Sequence, residues 1–313
     1  MPDLYLTFDI EDFINEKAFS VLKQIINILD TAQLKGLFFI TGHVADKLNT
    51  YPEIVNTLEN HEIGYHSSAH SVRPLIIEYT DIENYDQAIQ TALTRETSRI
   101  SPITGKILGP GGLLSLKKLF PKKIITSFRA PGFGWSPPII EALGKLGIQH
   151  DFSTRLKTGP FKFKKIQFYP FPTVLCPPDG YPFNLRTLSR SIRKSLPSSA
   201  IVLLLHPTTI ANQEHWDSIY FQGNPPELIR VKERNPQEEK AQIKDFTRFI
   251  DHIKTLKKIG VIDVTPPFKN AKPLTPDINL VNQMYLDSVL WVQEHFNYKP
   301  QFISTQFQHF FLK

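Results

Sequence analysis

Two histidines four positions apart, in His66-Ser67-Ser68-Ala69-His70, accompany a carboxylate cluster, Asp9-Ile10-Glu11-Asp12, that closes the first apolar stretch of the chain. Imidazoles at that spacing face one cation when the local chain is helical or turns tightly. A hard carboxylate completes a three-ligand set that leaves a coordination position for water. The pair is not the zinc-protease helix motif, which needs Glu directly after the first His; here that residue is Ser67. The general base must come from elsewhere, and Asp9 is the leading candidate. It follows Leu4-Tyr5-Leu6-Thr7-Phe8, which reads as a buried strand, and reactive groups in α/β folds cluster at strand C-terminal ends. Taken alone, the pair also fits a plainer reading, two hydrogen-bonded histidines with no ion.

Three further segments end in chemically useful residues. Phe128-Arg129-Ala130-Pro131-Gly132-Phe133-Gly134 sets an Arg at the end of a short strand, with Pro and Gly fixing the turn behind it. His150-Asp151-Phe152-Ser153 places an acid after a helical stretch, Pro138 to Leu146, that stops at Gly147. Ile201 to Leu205 is an uninterrupted apolar strand that ends in His206-Pro207. Singly, Arg129 and Asp151 read equally well as a structural ion pair, and His206 as a polar strand end.

In this order the segments resemble the five motifs of the polysaccharide deacetylase family, the NodB-homology or carbohydrate esterase family 4 group. Thr7-Phe8-Asp9 with Glu11 and Asp12 resembles the first motif, and His66 to His70, preceded by His61-Glu62-Ile63-Gly64, the second. Arg129-Ala130-Pro131-Gly132-Phe133 resembles the third, Asp151-Phe152-Ser153 the fourth and Leu205-His206-Pro207 the fifth. Leu34 to Gly42 is similar to the family's second core strand, and the resemblance spans about residues 4 to 265. Two departures stand out. The usual adjacent Asp-Asp of the first motif is Asp-Ile-Glu-Asp, as in the branch with exopolysaccharide and peptidoglycan deacetylases and some cyclic-amide hydrolases. A Gly/Pro-containing piece from Ile107 to Pro121 precedes the Arg motif, where many relatives are shorter.

The resemblance implies a metal-dependent hydrolase that removes an N-acyl group, N-acetyl first, from an amino sugar of a polysaccharide or glycan precursor. The ion is held by His66, His70 and a carboxylate, Asp12 or Glu11, with Asp12 favoured. Asp9 is the base and His206 the acid, Asp151 adjusts the imidazole, and Arg129 keeps Asp9 ionised and oriented. A backbone N–H in the turn near Phe133 is expected to steady the oxyanion; Trp135, on which the resemblance does not bear, reads first as core, with stacking on a sugar face as the alternative. Zinc is the ion first expected, while cobalt, nickel and iron suit the same donors. An allantoinase-like cyclic-amide hydrolase and a catalytically dead carbohydrate-binding protein are the competing readings.

Composition sets the limits. The chain has 313 residues, enough for one large domain or two small ones, and 41% of them are hydrophobic, enough for a sizeable core. A single cysteine, Cys176, excludes an internal disulfide framework and a thiolate-rich zinc knuckle. The chain opens with Met1-Pro2-Asp3 and runs straight into an apolar strand, without a basic start and apolar run, so the expectation is a cytoplasmic protein; a chain trimmed of an export signal reads the same. The net charge of +6 and the basic stretches Lys117, Lys118, Lys122, Lys123 and Lys157, Lys162, Lys164, Lys165 suit an N-acetylated glycan, a lipid-linked sugar or a peripheral contact with an anionic membrane face. Solvated surface is the plainer reading of the same runs. No helix-turn-helix, zinc finger or RNA-recognition sequence accompanies the charge, so nucleic acid is excluded.

The elements that must position these residues alternate. Strands are predicted at Leu4 to Phe8, Gly36 to Thr41, Glu62 to Tyr65, Ile124 to Arg129, Lys165 to Tyr169, Ile201 to Leu205 and Val261 to Thr265, with helices over Phe19 to Leu34, Asp81 to Thr97 and Asp245 to Lys258. That alternation implies an α/β fold with a mostly parallel sheet. The family resemblance makes it a distorted (β/α) barrel of about seven strands, NodB-like. Residues 1–265 form the expected catalytic domain, and 266–313 a Pro-containing linker, a helix from Asn279 to Phe296 and an aromatic tail packing on the barrel. The segment Phe168 to Pro172, continuing to Tyr181-Pro182-Phe183, reads as an extended loop walling a groove.

Overall fold

The structure, a computed structural model, describes residues 2–73, 75–156, 158–170, 174–175, 188–189, 192, 200–214, 230–264, 272–273, 277–296 and 300–312. The chain forms two compact units, one from Met1–Ile40, Val44–Ile63 and Thr173–Phe268, the other from Thr41–His43, Gly64–Pro172 and Lys269–Lys313. Both are mixed α/β with mostly parallel strands.

In the first unit the apolar run after Pro2 becomes the strand Asp3–Ile10, buried on both faces as a central parallel strand must be. It pairs in parallel with Ala200–Leu205 on one side, from Asp3 opposite Ala200 to Phe8 opposite Leu205, and with Leu37–Ile40 on the other, with Asp9 opposite Phe39. The helix Lys17–Ala32 covers this sheet with Ala18, Val21, Leu22, Ile25, Ile26 and Leu29, one stripe at helical spacing. It ends at Gln33, whose left-handed φ of 58° lets its N–H close back onto the Asp30 carbonyl. The helix predicted from Asp245 begins at Pro236, capped reciprocally by Asn235 and Glu238. Its first turns carry Gln237, Glu238, Glu239 and Lys240, and so show no apolar stripe to read.

In the second unit Tyr65, Phe128 and Asp151 lie level across three parallel strands, and Ile166–Phe168 continues the sheet beside His150–Asp151. The strand predicted over Ile124 to Arg129 shortens to Ser127–Phe128, with Ile124 fully out in solvent. The helix predicted from Asp81 begins at Tyr85, where Asn84 accepts from the Gln87 N–H, and a 3₁₀ turn occupies Ile76–Asp81. The piece from Ile107 to Pro121 is a strand, Ile107–Pro110, antiparallel to Ser98–Ile100, followed by the helix Leu113–Leu119. At the C-terminal end the helix Ile278–Phe296 is followed by a second, Ile303–Leu312. The sequence reading had only an aromatic tail there. Phe307 and Phe311 pack on Trp135, and the Ser288 hydroxyl donates to the Trp135 carbonyl.

Among the described residues no helix is long and apolar enough to cross a membrane.

Candidate metal and acid–base centre

The parallel pairing that ends with Phe8 opposite Leu205 brings the next residues of both strands, Asp9 and His206, out at the same level. Glu11, two positions beyond Asp9, stays on the same side of the extended chain. The result is a compact cluster in the first unit: one ligand atom each from Asp9, Glu11 and His206 lies within 4.8 Å of the other two. His206 Nε2 stands 3.7 Å from Glu11 Oε1 and 4.0 Å from Asp9 Oδ2. Both carboxylates are buried, and the imidazole is partly open.

Asp12 has a different setting. Its Oδ1 accepts from the N–H groups of Ile14 and Asn15, and its Oδ2 from Asn15 Nδ2 and the Thr208 hydroxyl, at 2.9–3.0 Å. Asn212 donates to Thr208 Oγ1, and Asn15 Oδ1 accepts from the Val231 N–H. Burial raises the Asp12 carboxyl above its ordinary range, and these donors pull it back. Asp12 thus ties the loop carrying Glu11 to the turn that follows His206. These donors occupy both carboxylate oxygens of Asp12 and leave it little capacity for a cation. Asp12→Ala is expected to cost about 2–3 kcal/mol of stability by leaving those buried donors unpaired, measured as a lowered midpoint in urea.

In the second unit His66 and His70 stand with ring centroids 5.5 Å apart, both buried. His66 Nδ1 lies 2.8 Å from the Arg129 carbonyl oxygen. A carbonyl only accepts, so Nδ1 is the donor, and in the neutral ring the lone pair is on Nε2, the tautomer a metal-binding histidine needs. His70 Nδ1 is bonded to the Ser71 hydroxyl. The loop between them is not helical: Ser67 and Ser71 both have left-handed φ, 67° and 59°. What holds it is Glu96, which sequence reasoning missed. Its fully buried carboxylate accepts from Tyr65 Oη at 2.8 Å, the Ser68 N–H at 2.9 Å and Ser67 Oγ at 3.0 Å. Arg95 is buried beside it and donates to Ser67 Oγ and the Val72 carbonyl. Arg and Glu are rarely fully buried unless paired, as these two are, but nothing local in the sequence marks that burial.

Arg129 and Asp151 end neighbouring strands. Arg129 is fully buried, and its Nε donates to the Phe152 carbonyl at 3.2 Å. Asp151 accepts from the Ser153 hydroxyl at 2.8 Å and its N–H at 3.1 Å, and Ser153 Oγ in turn accepts from the Ala130 N–H. This chain fixes the turn after Arg129. Burial pushes the Asp151 carboxyl up to about 7, against the pull of Ser153 and the Arg129 guanidinium.

The Phe133 N–H donates to the Ala130 carbonyl at 3.0 Å and closes the 3₁₀ turn Pro131–Phe133, so that donor is committed to the turn. Trp135 is fully buried among Phe168, Phe307 and Phe311, and has no face to offer a sugar. Phe168 and Tyr169 are also core, with Tyr169 stacked on Phe152 at 4.5 Å. Residues 171–172, Tyr181 to Phe183, Lys157 and Cys176 lie outside the described residues.

Residues 2–108 match the sequence model of the polysaccharide deacetylase family, and over that stretch the chain carries the family's pattern. The match contains the first two motifs. No curated protein sequence matches the chain. Among solved structures, a 4-alpha-glucanotransferase from Thermococcus litoralis shares the fold at a TM-score of 0.53 and 10% identity; the alignment covers 99% of this chain and half, 50%, of that one. A family 4 carbohydrate esterase from Bacillus anthracis aligns at 17% identity over 90% of this chain and 83% of its own, with a TM-score of 0.38. A family 4 pseudoenzyme from Bacillus anthracis aligns at 14% identity over 87% and 66%, with a TM-score of 0.44. The fold class is α/β with mostly parallel strands, as the alternation of elements implies.

Proposed function

We propose that this protein is a metal-dependent hydrolase that removes an acyl group, acetyl first, from the nitrogen of an amino sugar in a glycan or its lipid-linked precursor. The observation that carries the reading is the cluster of Asp9, Glu11 and His206 at adjacent strand ends, in a chain whose residues 2–108 match the polysaccharide deacetylase family. An acid–base pair beside a spare carboxylate is what amide hydrolysis requires.

The donor set fits a divalent cation. The Nδ1-protonated state of His66 turns its Nε2 lone pair into a ligand, His70 supplies a second imidazole, and Glu11 is the carboxylate we assign. Such an ion would supply a Lewis acid for the acyl carbonyl and for water; zinc comes first, with cobalt, nickel and iron suited to the same donors. Asp9 takes the proton of the attacking water. His206 delivers a proton to the departing amine, and its distance of 4.0 Å from Asp9 lets both groups serve one reacting centre. Arg129 and Asp151 act as positioning residues by fixing the turn Pro131–Phe133, and Glu96 does the same for the loop of His66 and His70.

Purified protein is expected to contain one divalent ion per chain and to release acetate from acetylated chito-oligosaccharides, with no ring opening of cyclic ureides. Activity lost to a chelator is expected to return with zinc or cobalt. Ureide opening without acetate release would move the assignment to a cyclic-amide hydrolase. An ion with neither activity would leave a binding protein.

A further inference from the structure

From Thr97 to Ile140 the chain contains no Asp or Glu, yet it carries Arg99, Lys106, Lys117, Lys118, Lys122 and Lys123 besides the buried Arg129. The same stretch concentrates exposed apolar surface. Of the ten strongly exposed large apolar side chains among the described residues, five are here: Ile103 at 46%, Ile107 at 53%, Leu108 at 61%, Leu114 at 45% and Ile124 at 87%. Ile107 and Leu108 are consecutive in a strand, so their side chains leave opposite faces, and both are exposed. The strand Ile107–Pro110 is therefore open on both sides, while Ser98 and Ile100 of its partner strand anchor the ribbon in the body of its unit. Leu114 shares a helix face with Lys117 and Lys118, three and four positions on, which adds an apolar side chain with two cations beside it.

Two glycines seat this ribbon on the histidine loop. A Cβ at Gly112, φ +58°, would lie 2.0 Å from Ser68 Oγ, and one at Gly105, φ +68°, 2.1 Å from the Arg73 carbonyl oxygen. The exposed face thus rises directly beside the segment that carries His70.

We infer that the surface of Ile103, Ile107, Leu108 and Leu114, flanked by Lys106 and Lys118, docks the protein peripherally on an anionic lipid bilayer. Aliphatic side chains enter the headgroup boundary while lysines meet lipid phosphates, the combination that gives stable but reversible surface binding. A soluble polyanion gives no reason for exposed isoleucines and leucines. A second copy of this chain in a two-fold contact would set like charges against like. The inference does not depend on the hydrolase reading.

The test is flotation of the whole chain with vesicles of phosphatidylcholine alone and of phosphatidylcholine with phosphatidylglycerol, at low and high salt. Partitioning onto the anionic vesicles is expected to exceed that onto neutral ones at least about tenfold, and to weaken in high salt. Ile107→Ser with Leu108→Ser is expected to lower anionic partitioning about tenfold with the charge unchanged, and Lys106→Glu with Lys118→Glu to do the same. These positions are exposed, so circular dichroism and acetate release are expected to match the parent protein. Absence of anionic partitioning overturns the inference. So does a Ser double variant that partitions like the parent, which reduces the surface to charge alone. Failure to partition in a parent protein that sediments as a dimer, with a monomeric Ser variant, assigns the face to a second copy and overturns it equally.

Discussion

Asp9→Asn is expected to keep its divalent ion and to lose turnover by about a thousandfold, within the roughly 10²–10⁴-fold that a positioned general base contributes. The amide keeps the shape of the carboxylate but cannot accept the proton of water at neutral pH. The proposal divides labour inside a cluster whose ligand atoms lie within 4.8 Å of one another, so substitution at each member should fail differently. Glu11→Gln is expected to weaken the ion and lower activity in proportion to occupancy, restored in part by excess metal. His66→Ala and His70→Ala are expected to lose the ion outright, since a missing imidazole leaves only two protein ligands. His206→Ala should hurt most with substrates whose amine leaves poorly. Metal content after exhaustive dialysis, read beside acetate release, separates these cases. An Asp9→Asn protein that turns over normally excludes Asp9 as base, and one that arrives without metal makes Asp9 a ligand.

The parts of this centre that were legible in the sequence are those written locally. Ile201 to Leu205 is a continuous apolar run and Leu4 to Phe8 is broken only by Thr7, whose hydroxyl donates to the Leu203 carbonyl, because a parallel strand buried on both faces tolerates little else; the charged or titratable residue ending each run is therefore exceptional. Asp9 and His206 are those residues. What was not legible depends on partners far away in the chain. The role of Asp12 rests on Thr208, 196 positions on, and nothing in Asp-Ile-Glu-Asp distinguishes a ligand from a loop anchor. Glu96 ends a helix of mixed polarity and reads as a solvated charge, although it is fully buried and gathers the Tyr65, Ser67 and Ser68 donors. Trp135 and the helix Ile303–Leu312 explain each other: Phe307 and Phe311 reach Trp135 only once that helix folds back, a contact no local pattern announces.

Asp151→Asn is expected to reverse the ordinary cost of removing a buried hydrogen-bonded carboxyl, and to do so only as pH rises. Burial lifts the folded-state value from 3.8 to about 7. A carboxyl raised in the folded state contributes its full stability below pH 4 and loses it as pH climbs through 7, because the unfolded chain has already released the proton. The shift corresponds to on the order of 4 kcal/mol between those limits. An Asn at this position has no proton to lose. It still offers an oxygen to Ser153, whose hydroxyl accepts from the Ala130 N–H and fixes the turn after Arg129. Urea unfolding of parent and variant from pH 4 to 9 should show the difference in stability moving steadily towards the variant up to about pH 7 and levelling above it. The variant's acetate release should also fall above about pH 7, where Arg129 loses the charged neighbour that an ionised Asp151 provides. Parallel stability curves across that range would mean that Asp151 stays ionised throughout, paired with Arg129 strongly enough to outweigh its burial.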